Sequence, residues 1–150
     1  MLKQLKQPME TKQLTIETIV AANLVQTWTY WNEPEHIIHW NFADDSWHCP
    51  RAENDLRVGG MLKSRMEAKD GSFGFDFEAV YNEVRALETI AYIMTDGRKA
   101  RTTFKEVEEG TKMTTIFDAE RENPIEMQQK GWQAILDNFK TYVESKLGER

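Results

Sequence analysis

The strict alternation of apolar and polar residues over residues 61–69 is the sequence feature that most constrains the fold of this chain. Within it Leu62, Ser64, Met66 and Ala68 share one face of an extended strand, and charged side chains fill the other face. This pattern is typical of an antiparallel sheet with one buried and one solvated side. An Asp-Gly pair, a frequent hairpin turn, follows directly. The chain is therefore predicted to build a sheet that buries one face.

The same alternation recurs in other segments. A β-branched strand is predicted over residues 14–20, and later strands over residues 89–94, 100–104 and 113–119. Turn signals separate the later strands at intervals of about a dozen residues, which favours a meander of sequential antiparallel strands. The strand after the Asp-Gly turn places a mostly aromatic row on one face, namely Phe73, Phe75, Phe77, Ala79 and Tyr81.

Helix signals flank the predicted meander. Asn23 is a candidate N-cap for a short helix over residues 24–31, and Pro34 lies early in a second short segment over residues 35–40. Residues 125–147 are predicted to form a long amphipathic helix, whose apolar stripe consists of Trp132, Ile135, Leu136, Phe139 and Val143. Because a sheet with one apolar face has to bury it, this helix is expected to cover the sheet.

Large and small residues are mixed on the predicted inner face of the sheet. Such a mixture can interdigitate into a dense core. It can also leave a cavity where small residues face each other across a curved sheet. The residue pattern leaves both alternatives open.

Composition bounds the class of protein and its domain organisation. Residues 1–11 are polar and are predicted to be a flexible leader, with residues 12–150 as a single domain. Residues 41–50 show no steady period and are predicted to be an ordered aromatic loop. With 40% hydrophobic and 29% charged residues, the chain fits a folded domain rather than a disordered segment. A net charge of -6 argues against nucleic-acid binding, since phosphate affinity comes from clustered Lys and Arg.

Two further features bear on location. No apolar run approaches the roughly 20 residues of a membrane-spanning helix, and the N-terminus lacks the apolar stretch of a signal peptide. The single cysteine, Cys49, cannot form an intramolecular disulfide, which suits a reducing compartment. We therefore expect a cytoplasmic protein with no membrane span and no nucleic-acid partner. Homodimerisation is left open.

Four stretches of the sequence carry a family resemblance: residues 28–40, 55–71, 108–117 and 131–144. The second contains a Gly-Gly pair, a Met-containing strand and the Asp-Gly turn in that order, and the last opens with Gly-Trp. With the strand layout, they resemble the START-like (SRPBCC) superfamily, in the branch homologous to the C-terminal domain of the heat-shock-protein-90 ATPase activator. The resemblance implies an α+β helix-grip fold. In that fold a curved antiparallel β-sheet wraps around a long C-terminal helix, and two short helices follow the first strand.

The resemblance also implies a function and a site. Such domains enclose a pocket between sheet and helix, which favours binding of a small hydrophobic or aromatic molecule, lipid-like or polyketide-like. Trp31, Trp40 and Trp47 lie near the implied entrance, where they would either hold a ligand or plug the end of the sheet. Tyr92 adds a polar group to the inner face. The residues implied to line the pocket are Met66, Phe75, Tyr81, Phe104, Phe117, Trp132 and Phe139.

Two other functions stay open as alternatives. A cyclase or hydrolase could act in the same pocket, and its weak catalytic candidates are Asp44, His48 and Tyr81, because a carboxylate beside an imidazole can do general acid–base work. The same loop residues can equally be a polar turn. The family name alone suggests a co-chaperone that stimulates a heat-shock ATPase.

No metal or other cofactor is expected. His36 and His39 are three residues apart and can share a helix face, with His48, Cys49 and nearby aspartates as further donors. Their spacing matches no established zinc pattern, and scattered histidines with one cysteine are seldom a metal site.

Overall fold

The computed structural model of this protein describes residues 12–148. Seven antiparallel strands form one sheet, and a long C-terminal helix and two short helices pack on its inner face. This is the predicted α+β helix-grip arrangement, and the predicted leader lies outside the described residues. The elements in chain order are β1 Gln13–Val20, α1 Leu24–Asn32, α2 Pro34–Ile37, β2 Trp47–Asn54, β3 Met61–Ala68, β4 Gly74–Arg85, β5 Thr89–Met94, β6 Lys99–Val107, β7 Gly110–Asp118 and α3 Ile125–Gly148.

The strand order is β1-β7-β6-β5-β4-β3-β2. Strands β2 to β7 therefore form the predicted meander, and β1 returns to pair with the last strand in the register Leu14↔Phe117. Side chains of β1 and β3, near opposite edges of the sheet, line one cavity together with α3. The sheet consequently curls around the helix.

Strand β2 corrects the sequence prediction. Residues 41–50 were expected to be a loop, and this is wrong from Trp47 onward, where β2 begins. The alternation fails because β2 is an edge strand whose register shifts between His48 and Arg51. Pro50 lies inside this irregularity, and a residue without a backbone N–H is tolerated at an edge or a bulge.

The short helices follow their local signals more closely. Asn23 caps α1 as predicted: its side chain accepts from the Gln26 backbone at 2.8 Å, and the Gln26 side chain accepts from the Asn23 backbone at 3.2 Å. This reciprocal pair is a capping box. Helix α2 is shorter than the predicted segment and ends at Ile37, so Trp40 lies in the turn that follows.

Helix α3 contributes the centre of the core. Leu136, Phe139 and Val143, from the predicted stripe, are at most 1% exposed. Trp31 and Trp40 stack on each other at 4.6 Å, and both pack edge-on against Phe139. The core therefore joins α1, α3 and the turn after α2 into one layer above the sheet.

Polar side chains of α3 also hold the free edge of β1. Alternate carbonyls of an edge strand point away from its sheet partner and need other donors. Three α3 side chains supply them: Gln129 to Thr15 (2.9 Å), Gln133 to Glu17 (3.1 Å) and Lys140 to Ile19 (2.7 Å). Among residues 12–148, no helix is long and apolar enough to cross a membrane.

Candidate ligand-binding cavity

A cavity of about 300 Å³ lies between the inner face of the sheet and the helical layer. Ile16 of β1, Ile90 of β5 and Leu136 of α3 contribute to a lining that is mostly apolar and aromatic. Cavities that bind small molecules measure about 300 to 1,000 Å³ and have linings of this kind. The space is therefore suited to one compact molecule.

The cavity meets solvent beside a cluster of three aromatic rings, Trp47, Phe73 and Phe75, which we call the aromatic lip. Phe75 lines the cavity and is also 42% exposed, so it lies where the cavity opens. Its ring centroid is 6.1 Å from that of Trp47 and 6.2 Å from that of Phe73. Phe73 was predicted to face inward with its row, but it precedes β4 and is 62% exposed.

Many of the residues predicted for the site do surround this cavity. Its lining includes both helical-layer tryptophans that stack on each other, and it includes both predicted tyrosines. The predicted residues among the lining are Trp31, Trp40, Met66, Phe75, Tyr81, Tyr92 and Trp132.

The other predicted aromatic residues lie one layer behind the lining or at the lip. Phe117 stacks face to face on Trp132, with centroids 4.0 Å apart, and so fixes a ring that does line the cavity. Phe104 packs against Trp28. Phe139 is fully buried behind the two stacked tryptophans, and Trp47 belongs to the aromatic lip.

Three asparagine and tyrosine side chains form a hydrogen-bonded chain along the cavity wall. The Tyr81 hydroxyl donates to Asn54 Oδ1 at 2.7 Å, and Asn54 Nδ2 donates to the Asn32 carbonyl at 2.7 Å. Asn32 Nδ2 in turn donates to the Trp28 carbonyl at 2.9 Å. Burial raises the pKa of the Tyr81 hydroxyl, so it stays a protonated donor well above neutral pH.

Two of these groups were not predicted. Asn32 is the last residue of α1 and Asn54 the last residue of β2. Asparagine is common where helices and strands end, so its presence there is no signal for a site. Arg98 also lines the cavity, after the β5–β6 turn, with its Nε donating to Asp96 at 2.7 Å.

Within residues 12–148, some hydroxyl groups on the inner face of the sheet have a hydrogen-bond partner, and that of Ser64 does not. Thr102 and Thr115 bond to each other across β6 and β7 at 2.7 Å. Ser64, 1% exposed on β3, also lines the cavity, but its Oγ has no hydrogen-bond partner among the described residues. An unpaired buried hydroxyl costs about 1–3 kcal/mol. The alternation over residues 61–69 predicts Ser64 on the buried face but gives no sign of a role for it.

The structure does not assemble the weak catalytic pair considered from sequence. Asp44 is exposed and accepts from the Ser46 backbone at 2.8 Å, and hydrogen bonds from the Ser46 side chain and backbone lower the pKa of Asp44. His48 Nε2 instead lies 3.5 Å from Glu67 Oε1. Neither Asp44 nor His48 lines the cavity.

His36 and His39 are both engaged by Tyr142. His36 Nδ1 is 2.8 Å from the Tyr142 hydroxyl, and the His39 ring stacks on Tyr142. Cys49 is buried, and burial raises the pKa of its thiol. Within residues 12–148, the group whose ligand atoms all lie within 4.8 Å of one another is Glu33, Glu35 and His36. Its two carboxylates are exposed and lie around the start of α2, where acidic residues are favoured without a metal.

Fold and cavity together define the class: a START-like helix-grip domain. The sequence profile of the family described as "Activator of Hsp90 ATPase homolog 1-like protein" matches residues 21–144. The chain belongs to this family. The match confirms the branch expected from the four sequence stretches. No curated protein matches the chain.

Solved structures agree with this assignment over most of the chain. An AHSA1-like protein from Aeromonas hydrophila is 40% identical, with a TM-score of 0.86 over 93% of this chain and 96% of that chain. A protein from Cytophaga hutchinsonii is 44% identical, with a TM-score of 0.75 over the same shares. A protein from Nitrosomonas europaea is 16% identical and shares the fold, with a TM-score of 0.77 over 91% of this chain and 97% of that chain.

Proposed function

We propose that the protein binds one small hydrophobic or aromatic molecule, lipid-like or polyketide-like, in the cavity between sheet and α3. The observation that carries this proposal is an apolar space of about 300 Å³ that reaches solvent at Phe75. START-type folds commonly bind hydrophobic ligands, and this family relationship supports the same use here. Fold alone does not assign a function, so the lining residues carry the argument.

The lining is pre-formed, which favours binding. Trp31 is held by Trp40 and Phe139, and Trp132 is held by Phe117 through stacked rings. Rings fixed by their neighbours lose little conformational freedom when a ligand arrives. A ligand would therefore gain contact with aromatic faces at small entropic cost.

A substitution that fills the cavity tests the proposal. Leu62 lines the cavity from β3, whereas Val80 on β4 lies on the outer face, 41% exposed. In a thermal-shift and native mass-spectrometry screen of small apolar compounds, we expect one-to-one binding to the wild-type protein. Leu62→Trp should abolish this binding by occupying the space, and Val80→Trp, which adds the same ring outside, should retain it.

Two results would contradict the proposal. One is a screen in which no apolar compound binds the folded wild-type protein. The other is binding that survives Leu62→Trp unchanged while that variant keeps its native circular dichroism spectrum.

A further inference from the structure

The hydroxyl of Ser64 is completely buried and has no hydrogen-bond partner within residues 12–148. It is 1% exposed, lies on the inner face of β3 opposite Phe77 of β4, and lines the cavity. The Cys49 thiol neighbours it, but the two side chains lack hydrogen-bond geometry, and a thiol is a weak partner in any case. The Ser64 hydroxyl is therefore left unsatisfied by the protein at the point where β3 borders the cavity.

Tyr92 presents a second hydroxyl to the same space. Its ring contacts Phe77 with centroids 5.8 Å apart, and it lines the cavity from β5. Its hydroxyl makes no hydrogen bond to the described residues, in contrast to Tyr81, which is paired with Asn54. Ser64 and Tyr92 thus lie on the strands to either side of β4, flanking the Phe77 ring.

Charge is scarce in this part of the lining. The charged residue among those lining the cavity is Arg98, whose charge reaches Tyr92 but whose guanidinium is held by Asp96 and by the Asp118 carbonyl. A carboxylate placed beside Ser64 would be desolvated without a charged partner, which is strongly unfavourable. A neutral oxygen needs only the hydroxyl donor.

We infer that the cavity selects a neutral, oxygenated ring compound, whose carbonyl or hydroxyl oxygen accepts a hydrogen bond from Ser64, while Tyr92 offers a separate donor to the same cavity. This inference rests on the proposed function, because it assigns chemistry to the same cavity. A site with an unpaired buried donor discriminates against an analogue that lacks the matching oxygen. The unsubstituted hydrocarbon should accordingly bind about tenfold more weakly or worse.

Three matched probes test this: naphthalene, 2-naphthol and 2-naphthoate, each titrated into ¹⁵N-labelled protein and followed by NMR. For the wild-type protein we expect 2-naphthol to bind best. In Ser64→Ala the ratio of naphthol to naphthalene affinity should fall to near one, while the midpoint of thermal unfolding is not lowered, since an unpaired buried hydroxyl has been removed. Tyr92→Phe should reduce the ratio in part. Ser145→Ala, a matched change at an exposed position of α3, should leave the ratio as in the wild type.

The outcomes separate this inference from the proposed function. If the wild-type protein binds naphthalene and 2-naphthol equally, or if Ser64→Ala retains the preference for 2-naphthol, the inference is wrong and the proposed function stands. Tightest binding of 2-naphthoate would also overturn it, because the site would then select an anion. Absence of binding by all three probes would count against the proposed function itself.

Discussion

At the scale of the residue, Tyr81 and Tyr92 are two similar tyrosines that differ in whether the hydroxyl has a hydrogen-bond partner. They are cross-strand neighbours on β4 and β5, with ring centroids 6.2 Å apart, and both line the cavity. The Tyr81 hydroxyl is bonded to Asn54, whereas the Tyr92 hydroxyl makes no bond within the described chain. The two residues form a natural matched pair for mutagenesis.

Tyr81→Phe is expected to lower the free energy of unfolding by about 1–3 kcal/mol, because Asn54 Oδ1 loses its donor inside the fold. Tyr92→Phe, which removes the same atom without breaking a protein hydrogen bond, should change the free energy by less than about 0.5 kcal/mol. Urea unfolding of both variants measures the difference. Equal losses in the two would show that the Tyr81–Asn54 bond is not stabilising.

The same tyrosines predict a dependence of stability on alkaline pH. Burial raises the pKa of both hydroxyls above the ordinary value of 10.0. In the unfolded chain they ionise at about pH 10, whereas the folded chain keeps these protons. Their stabilisation is therefore complete below that pH, and the free energy of unfolding falls as the pH rises above it.

Urea unfolding between about pH 9 and pH 11 should show this fall, with each tyrosine contributing up to about 1.4 kcal/mol per pH unit. The double variant Tyr81→Phe, Tyr92→Phe should lose stability less steeply over the same range. A slope identical to that of the wild-type protein would contradict the assignment.

At the scale of the element, α3 uses one face to fill the core and another to bond to the edge of β1. Its apolar stripe fills the core, and its polar side chains complete the free edge of β1. An exposed strand edge is a site for unwanted pairing with other chains. Helix α3 thus covers the free edge of the sheet and also forms one wall of the cavity.

Gln129→Ala with Gln133→Ala is expected to lower the free energy of unfolding by about 1 kcal/mol, because the Thr15 and Glu17 carbonyls lose their donors. The control is Lys130→Ala with Thr141→Ala, two exposed positions of the same helix at which alanine also raises helix propensity. Hydrogen exchange of the β1 amides should quicken in the first variant alone. Unchanged exchange and stability would show that these contacts do not secure the edge.

The helices and strands were predictable where apolar residues repeat at the regular spacing of a helix or a strand. Strand β3 and helix α3 each have one solvated and one buried face, so alternation and the apolar stripe revealed them. Strand β2 was missed because its bulge and Pro50 interrupt the alternation. A bulge is set by pairing with the neighbouring strand, which a local pattern does not contain.

Part of the cavity lining was predictable from the sequence, but which inward side chains reach the cavity was not. Phe75 and Phe117 have the same aromatic character and both occupy inward positions of a strand, yet Phe75 lines the cavity and Phe117 lies behind Trp132. Which of the two reaches the cavity depends on how the sheet curves. That curvature arises from the pairing of all the strands, so inspection of one strand cannot supply it.

For the whole molecule, a ligand in the cavity is coupled to folding. A ligand that binds the folded state and not the unfolded state at 100 times its Kd stabilises by about 2.7 kcal/mol. For a domain of this size, that corresponds to a rise in the unfolding midpoint of roughly 5–10 °C. We expect a concentration-dependent rise of this size in differential scanning fluorimetry with a cognate ligand, and no rise in Leu62→Trp. A rise that is the same in both proteins would place the ligand outside the cavity.

The pairing of β1 with β7 has a consequence for synthesis. Gln13 pairs with Asp118, and α3 follows both of these strands along the chain. During translation β1 therefore stays unpaired until β7, about a hundred residues later in the chain, has left the ribosome. Because α3 follows all seven strands along the chain, the cavity gains its helical wall only after the whole sheet has been synthesised. A ligand of the proposed kind then enters an already folded domain, past the aromatic lip.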